Sequence, residues 1–515
     1  MTAAKPNILF IMADQLAARS LSAYGHRLVK TPHLDRLARE GVVFENAYTP
    51  SPLCAPARAC VMNGLLPSRT GVYDNAAEFP SAIPTWAHYL RLAGYRTCLS
   101  GKMHFVGPDQ LHGLEKRLTT DIYPADFGWT PDWRLRQDRI DWWYHNMTSV
   151  LQPGIAGITN QLEFDDEAAF LATREIYDCA RFSPETPFCL LTSFSHPHDP
   201  YAARAKFWNL YRNEDIDLPD IPALSPDALD PHSRRLYDMS AMGDYVVTEA
   251  DIRAARHGYY ASVSYVDDLV GQLVATLETA ALLENTIIVF TSDHGDFLGE
   301  RGLWYKMSFL EPSAHIPLLV WAPRRFAARR VSEPVSLCDI LPTFAHLAAG
   351  VQKPLARPVD GRSLVPLLEG AAEDENTTIW GEYLAEGAIA PLYMLRRGPW
   401  KFIHTPSDPD QLFNLIDDPN EKTNRAPAEP ALAETLRREV EAAFDIPHIQ
   451  AGVMQSQQAR HMMFEALKRG SHFPWDFQPL RDASVQYTRN HLSVTERDLQ
   501  SRLPPAPDIA GKHRP

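Results

Sequence analysis

Four short apolar runs, Asn7 to Met12, Arg96 to Ser100, Phe188 to Phe194 and Thr286 to Thr291, are each followed at once by charged or metal-capable residues. Asp14-Gln15 follows the first, Lys102 and His104 the second, His196 and His198 the third, and Asp293-His294 the fourth. Apolar runs of this length alternating with helical patterns read as buried strands of a large, mostly parallel sheet with helices on both faces, an α/β class. Ile316 to Trp321 is a fifth strand candidate. Thr31-Pro32 opens the first helix as cap and first-turn proline, Leu34, Leu37 and Ala38 form its apolar stripe, and Gly41 closes it. A second helix is expected over Pro84 to Ala93. In open α/β sheets ligands sit at the carboxyl ends of strands, so residues hundreds of positions apart can line one crevice. A single Asp or His at a strand exit is usually a turn former. Four coincident exits point to a site.

The chain's 515 residues, 45% of them hydrophobic, suit a globular protein with a sizeable core, and its formal charge of −14 argues against a nucleic-acid binder. Ile8 to Ala13 is far shorter than the ~20 apolar residues a membrane helix needs. MTAAKPN runs straight into the first strand without an apolar leader, so the expected compartment is the cytoplasm. Six cysteines without CxxC spacing indicate neither a disulfide framework nor a zinc site. The expected organisation is a catalytic α/β domain over residues 1–374, a small α+β subdomain over 375–450, and an extension over 451–515. The subdomain would hold an antiparallel sheet of Trp380 to Tyr383, Tyr393 to Arg396, Lys401 to His404 and Gln411 to Leu415, with a helix over Pro430 to Ala443. The extension contains FPWDFQPL and ends in a proline-rich tail.

The segment Ser51 to Arg58, SPLCAPAR, precedes a short helical stretch in which Pro56 suits the first turn. Cys54 would then lie at a helix N-terminus, where backbone amides favour anions and activate a thiol. Nucleophile and arginine together suit an oxyanion ester; the plainer alternative is a structural cysteine in a proline-rich turn.

The string CxPxR, with Gly64 six residues past Arg58, resembles the signature of the formylglycine sulfatases in the alkaline phosphatase superfamily. NILFIMADQ, GKMH, PHDP, SDHGD and DILPTF follow in that family's order. The blocks SRTGVYDNAAE, LTTDIYPADFGWTPD, DWWYHN and GERGLWYKM are similar to those of bacterial choline sulfatases. The resemblance implies that Cys54 is oxidised to formylglycine by a formylglycine-generating or anaerobic sulfatase-maturing enzyme. Asp14, Gln15, Asp293 and His294, with residue 54, would surround one divalent metal, Ca²⁺ first and Mn²⁺ or Mg²⁺ as alternatives. Gln15 and His294 depart from the commoner Asp and Asn of the family, and Leu65 stands where an arginine is usual.

Sulfate oxygens must be neutralised before a nucleophile can approach sulfur, and the metal, Arg58, Lys102 and Lys306 would do so. The hydrated aldehyde offers one hydroxyl to attack sulfur and another to expel sulfate. The resemblance nominates His104 as the base for that release and His198, with Lys306 beside it, as the acid for the leaving group. His196 either touches substrate or orients the loop carrying His198. Arg69 and Arg301 are equally sulfate contacts or scaffold pairs. A quaternary ammonium is best held by aromatic faces and a carboxylate, and the resemblance offers Trp129, His145 and Glu386, with Asn75 on the approach and Trp142, Trp143 and Tyr144 nearby. The implied reaction is hydrolysis of choline O-sulfate by a homotetramer whose C-terminal extension wraps a neighbouring subunit. The rivals are a broader sulfatase or phosphonate or phosphate monoester hydrolase, and a non-catalytic osmolyte-binding protein with unmodified Cys54.

Overall fold

The computed structural model describes residues 5–135, 145–469 and 493–509. Its centre is the strand Asn7–Asp14, buried along all eight residues. Alternation along that strand divides the interior: Ile8, Phe10 and Met12 join one apolar cluster, and Leu9, Ile11 and Ala13 join the other. Each large side chain so buried contributes about 1.5–3 kcal/mol. The Ile8 side packs with the helices Cys54–Asn63, Trp86–Leu92 and Ile340–Ala349, and the Leu9 side with Asn160–Phe182 and Glu249–Thr279. This is the expected sheet between two helical layers.

The sheet order is Arg329–Val331, Val42–Tyr48, His315–Trp321, Thr286–Ser292, Asn7–Asp14, Phe188–Pro197, Arg96–Gly101 and Lys116–Arg117. The four strands whose exits carry the candidate residues are adjacent and mutually parallel, so their carboxyl ends share one edge. His315–Trp321 runs antiparallel to both neighbours. Val42–Tyr48, interrupted in sequence by half-buried Glu45 and Asn46, is a strand the apolar runs do not reveal.

Pro32–Glu40 is the first helix, but the Thr31 hydroxyl turns to Asp35. The helix end is capped from afar by Asp267, which accepts the His33 and Leu34 N–H groups. The second helix spans Trp86–Leu92, with Thr85 and His88 forming a capping box. A separate antiparallel sheet joins Thr378–Tyr383, Leu392–Arg397, Trp400–His404 and Gln411–Asn414 in sequence order, backed by the helix Pro430–Ala443. The helix Ile446–Leu467 runs across residue 450, and the short helix Val494–Ser501 packs Val494 against Ile122, Tyr123 and Phe164. Trp142, Trp143, Tyr144 and FPWDFQPL lie outside the described residues. Among the described residues, no helix is long and apolar enough to cross a membrane.

Candidate active site

Cys54 is the first residue of a helix buried along its whole length. Leu53 before it offers no side-chain cap; Asn75 Oδ1 instead accepts the Ala55 N–H at 2.9 Å. Gly64 ends the helix at φ 70°, a left-handed position that favours glycine, and returns its N–H to the Cys60 carbonyl. The Cys54 sulfur lies 3.3 Å from His294 Nε2, 3.7 Å from Lys102 Nζ and 3.8 Å from Asp14 Oδ1. Residues from four distant parts of the chain therefore meet at one thiol.

The sheet brings them there by close approach. A Cβ at Gly101 would stand 1.9 Å from the Ser193 carbonyl oxygen, and φ there is +114°. Glycine lets that strand end against its neighbour, so the next N–H, of Lys102, bonds Ser193 O at 2.9 Å. The Lys102 ammonium meets Asp14 and lies 3.9 Å over the Tyr123 ring. Arg58 donates from Nε to Asp293 Oδ2 at 2.8 Å, and one terminal nitrogen donates to Lys102 O and Ser193 Oγ, both at 2.8 Å. Its other terminal nitrogen has no hydrogen bond among the described residues and lies 3.7 Å from Asp14 Oδ2. Burial alone would lift the Asp14 carboxyl, but Lys102, His198 and Arg58 hold it well below the ordinary range.

Four donor atoms, one each from Asp14, Cys54, Asp293 and His294, lie within 4.8 Å of one another, and all four residues are buried. His294 Nδ1 faces the Gly295 carbonyl at 3.1 Å, an arrangement that leaves the Nε2 lone pair for the cluster. Two carboxylates and an imidazole suit a divalent cation. Gln15 stands beside them with a different set of bonds. Its Oε1 accepts from Lys306 at 2.7 Å, while Nε2 donates to Asp296 Oδ2 at 2.6 Å and Asp199 Oδ1 at 3.2 Å. Gln15, His104, Tyr305 and Met307 all hold left-handed backbone at φ between 53° and 75°, each costing about 1–2 kcal/mol for a side chain with a Cβ.

The two candidate proton carriers occupy opposite environments. Burial, helped by Lys102, drops His104 to about 3, so the ring is neutral in this environment, and among the described residues neither ring nitrogen has a hydrogen-bond partner. Burial and Lys306 oppose a charge on His198, yet Asp199 and Asp14 outweigh them and raise it. His198 Nδ1 meets the Asp199 carbonyl at 2.8 Å, and Nε2 meets Lys306 Nζ at 2.8 Å. One of those last two nitrogens must accept, so His198 and Lys306 hold their protons as a pair.

Beside this cluster stands an aromatic wall. The half-buried Trp129 ring is 5.8 Å from His104 and 5.5 Å from Tyr123. Buried His145 is 5.1 Å from Tyr305 and 6.3 Å from His198. Glu386 is 1% exposed, and among the described residues its carboxylate has no partner beyond its own backbone N–H; burial, reinforced by Asp74 and opposed by that N–H, pushes it up to about 7. A buried acid without a side-chain partner suits a ligand that brings charge but no N–H.

His196 is occupied elsewhere. Its Nδ1 bonds Asp165 Oδ2 at 2.7 Å and its ring meets Tyr265 edge-on, both on helices of the Leu9 side. Arg69 pairs with Asp360, and Arg301 donates to the Asn420 and Glu421 carbonyls. Sequence reasoning missed Asp121, which accepts the Met103 and His104 N–H groups at 3.0 and 2.9 Å and pairs with Arg117. It also missed Ser193 under Arg58 and Asp199 under His198. Each lies within a block already singled out, and an acid or hydroxyl at a strand exit was the available signal.

Residues 6–351 match the sulfatase family model, residues 299–444 the model for N-sulphoglucosamine sulphohydrolase C-terminal regions, and residues 451–503 that for the choline sulfatase enzyme C terminus. This chain belongs to the sulfatase family. It is 49% identical over 513 residues to a choline-sulfatase of Rhizobium meliloti, covering 98% of this chain and 99% of that one. It is 31% identical to arylsulfatase K of Gallus gallus, with 87% and 84% covered. Among solved structures, the phosphonate monoester hydrolase of Agrobacterium radiobacter shares the fold at a TM-score of 0.68 and 23% identity, covering 85% of this chain and 95% of that one.

Proposed function

We propose that this sulfatase hydrolyses choline O-sulfate to choline and sulfate. The observation that carries the reading is the buried Glu386 carboxylate, which among the described residues has no side-chain partner and lies within electrostatic reach of Lys306 in a cluster that suits a sulfate ester. The 49% identity to a choline-sulfatase supports it.

Asp14, Asp293 and His294, with Gln15 alongside, would hold one divalent metal, for which the oxygen-rich set favours Ca²⁺, and such a metal supplies positive charge to sulfate oxygens. Formylglycine made from Cys54 supplies a hydrated aldehyde as nucleophile. Arg58 and Lys102 flank residue 54 and add charge where oxyanion charge builds. His104, neutral and unpartnered, accepts the proton released at residue 54 as sulfate leaves. His198, backed by Lys306 and oriented by Asp199, delivers a proton to the departing alcohol oxygen, which for an alkoxide as poor as choline's is a large share of the barrier. Trp129, His145 and Glu386 bind the trimethylammonium group, and Asn75 keeps the nucleophile helix in place. Assembly as a homotetramer and conversion by a maturing enzyme complete the proposal.

The test pairs peptide mass spectrometry across residue 54 with sulfate release from choline O-sulfate, 4-nitrophenyl sulfate and a phosphonate monoester. An aldehyde at 54 and a kcat/KM for choline O-sulfate at least ~100-fold above the others is the expected result. An intact thiol in active enzyme overturns the nucleophile, and faster phosphonate cleavage overturns the substrate.

A further inference from the structure

The aromatic wall and Glu386 are fastened from a distance. The helix Ile446–Leu467 buries only a narrow stripe beyond its first turn, Val453, Gln457 and Arg460, at helical spacing. Arg460 is 3% exposed. Its two terminal nitrogens donate to the two Asp74 carboxylate oxygens at 2.6 and 2.7 Å. One of them also reaches Thr130 Oγ1 at 3.1 Å, and Nε meets Ser456 Oγ at 3.2 Å. All three guanidinium nitrogens donate, and the fork joins two loops: Asp74 precedes Asn75, and Thr130 follows Trp129.

Two neighbours on the helix repeat the tie. Gln457 Oε1 accepts the Trp133 N–H at 3.0 Å, and His461 Nε2 meets the Pro131 carbonyl at 3.0 Å. Trp133 then donates from its indole to the Ala385 carbonyl at 3.0 Å, one residue before Glu386. One helix thus holds the segments carrying Asn75, Trp129 and Glu386. Arg460 and its neighbours fall within residues 451–503, the stretch matched by the choline sulfatase C-terminal model, whereas the sulfatase model ends at residue 351.

We propose that Arg460 is a positioning residue for the leaving-group pocket, clamping the Asp74-Asn75 and Trp129-Thr130 segments so that the trimethylammonium site is preformed. This rests on the choline O-sulfate reading. Among the described contacts Arg460 itself touches neither Arg58, Lys102 nor the His198–Lys306 pair, and its links to the cluster are indirect, through Asn75 on the Ala55 N–H and Trp129 against His104, so sulfate-ester cleavage depends on it less than cation binding does. Lysine cannot replace it, because a single ammonium lacks the planar fork that spans both Asp74 oxygens and Thr130.

The experiment compares full-length wild type, Arg460→Lys, Arg460→Met and the double variant Asp74→Asn with Arg460→Met. The double variant removes both charges and so avoids a stranded buried carboxylate should Arg460→Met fail to fold. Steady-state kinetics on choline O-sulfate and 4-nitrophenyl sulfate are paired with calorimetric titration of choline into protein whose Cys54 is unconverted. In the folded variants, KM for choline O-sulfate is expected to rise ~10-fold or more and choline binding to weaken equally, with kcat/KM for 4-nitrophenyl sulfate falling several-fold less than that for choline O-sulfate. Arg460→Lys should recover a minor part. A folded double variant that binds choline as wild type does, or loses both substrates equally, overturns the clamp. Wild type that binds no choline overturns the substrate reading instead.

Discussion

The sulfate-facing cluster and the aromatic wall beside it are built by opposite rules. In the cluster, charges are matched against each other: Asp14 meets Lys102, Asp293 meets Arg58, and Lys306 meets both Gln15 and His198. Asp14, Lys102, His198 and Asp293 come from the exits of adjacent parallel strands, so the sheet itself fixes them. Beside the cluster, Glu386 has no side-chain partner among the described residues, and Trp129 sits on a loop held by a helix more than three hundred residues later. On the reading proposed above, the chemistry rests on the sheet while the groups that select the leaving group are held by chain from the far end.

That contrast breaks most visibly at residue 54. Cys54→Ser should reduce turnover of choline O-sulfate and 4-nitrophenyl sulfate alike by about 10⁴-fold or more, because a serine sulfate ester lacks the second hydroxyl needed to expel sulfate. Sustained multiple turnovers by that variant would show that the cluster works by another route. Next in size is His198→Gln. Loss of the acid should cost about 10²–10⁴-fold on choline O-sulfate but far less on 4-nitrophenyl sulfate, whose leaving group needs no proton. Equal losses would return His198 to a purely structural part.

Glu386→Gln should separate the two regions in the other direction. KM for choline O-sulfate is expected to rise about 10- to 100-fold, with 4-nitrophenyl sulfate unaffected. Because burial lifts Glu386 to about 7, its carboxylate forms only as the pH rises through that value. The choline preference of wild type should therefore climb across neutral pH and level off above it, and the Gln variant should show no such step. Parallel pH profiles for the two substrates would remove Glu386 from the cation site.

The smallest effect is on stability. Glu386 is raised from 4.5 to about 7 in the folded chain, so between those values the folded state holds a proton that the unfolded state has released. Stability contributed by this group is present below about 4.5 and lost as pH rises through about 7. Glu386→Gln should consequently gain a few degrees in Tm at pH 8 and nothing at pH 4, a comparison readable by calorimetry.

The cluster was legible because apolar runs mark buried strands and the residues after them share one edge, which is how Asp14, Lys102, His198 and Asp293 could be grouped. The antiparallel course of His315–Trp321 was not, since periodicity carries no direction. Val42–Tyr48 escaped because Glu45 and Asn46 interrupt its apolar pattern where the register shifts. The supports were hidden for a different reason: Asp121 under His104, Asp165 under His196 and Arg460 under Asp74 matter through contacts between segments that sequence order does not pair. Motif resemblance found the groups that would touch substrate and passed over those that hold them.

The enclosure of Cys54 bears on how the protein is made. The residue is 1% exposed, opens a helix with no exposed face, and is covered by side chains supplied by residues 14, 102 and 294. The proposed conversion to formylglycine therefore requires a catalyst that reaches residue 54 before the side chains of residues 14, 102 and 294 close over it. On that proposal a chain that folds first keeps its nucleophile in the unconverted form, and the speed of folding sets what fraction of the population can turn over.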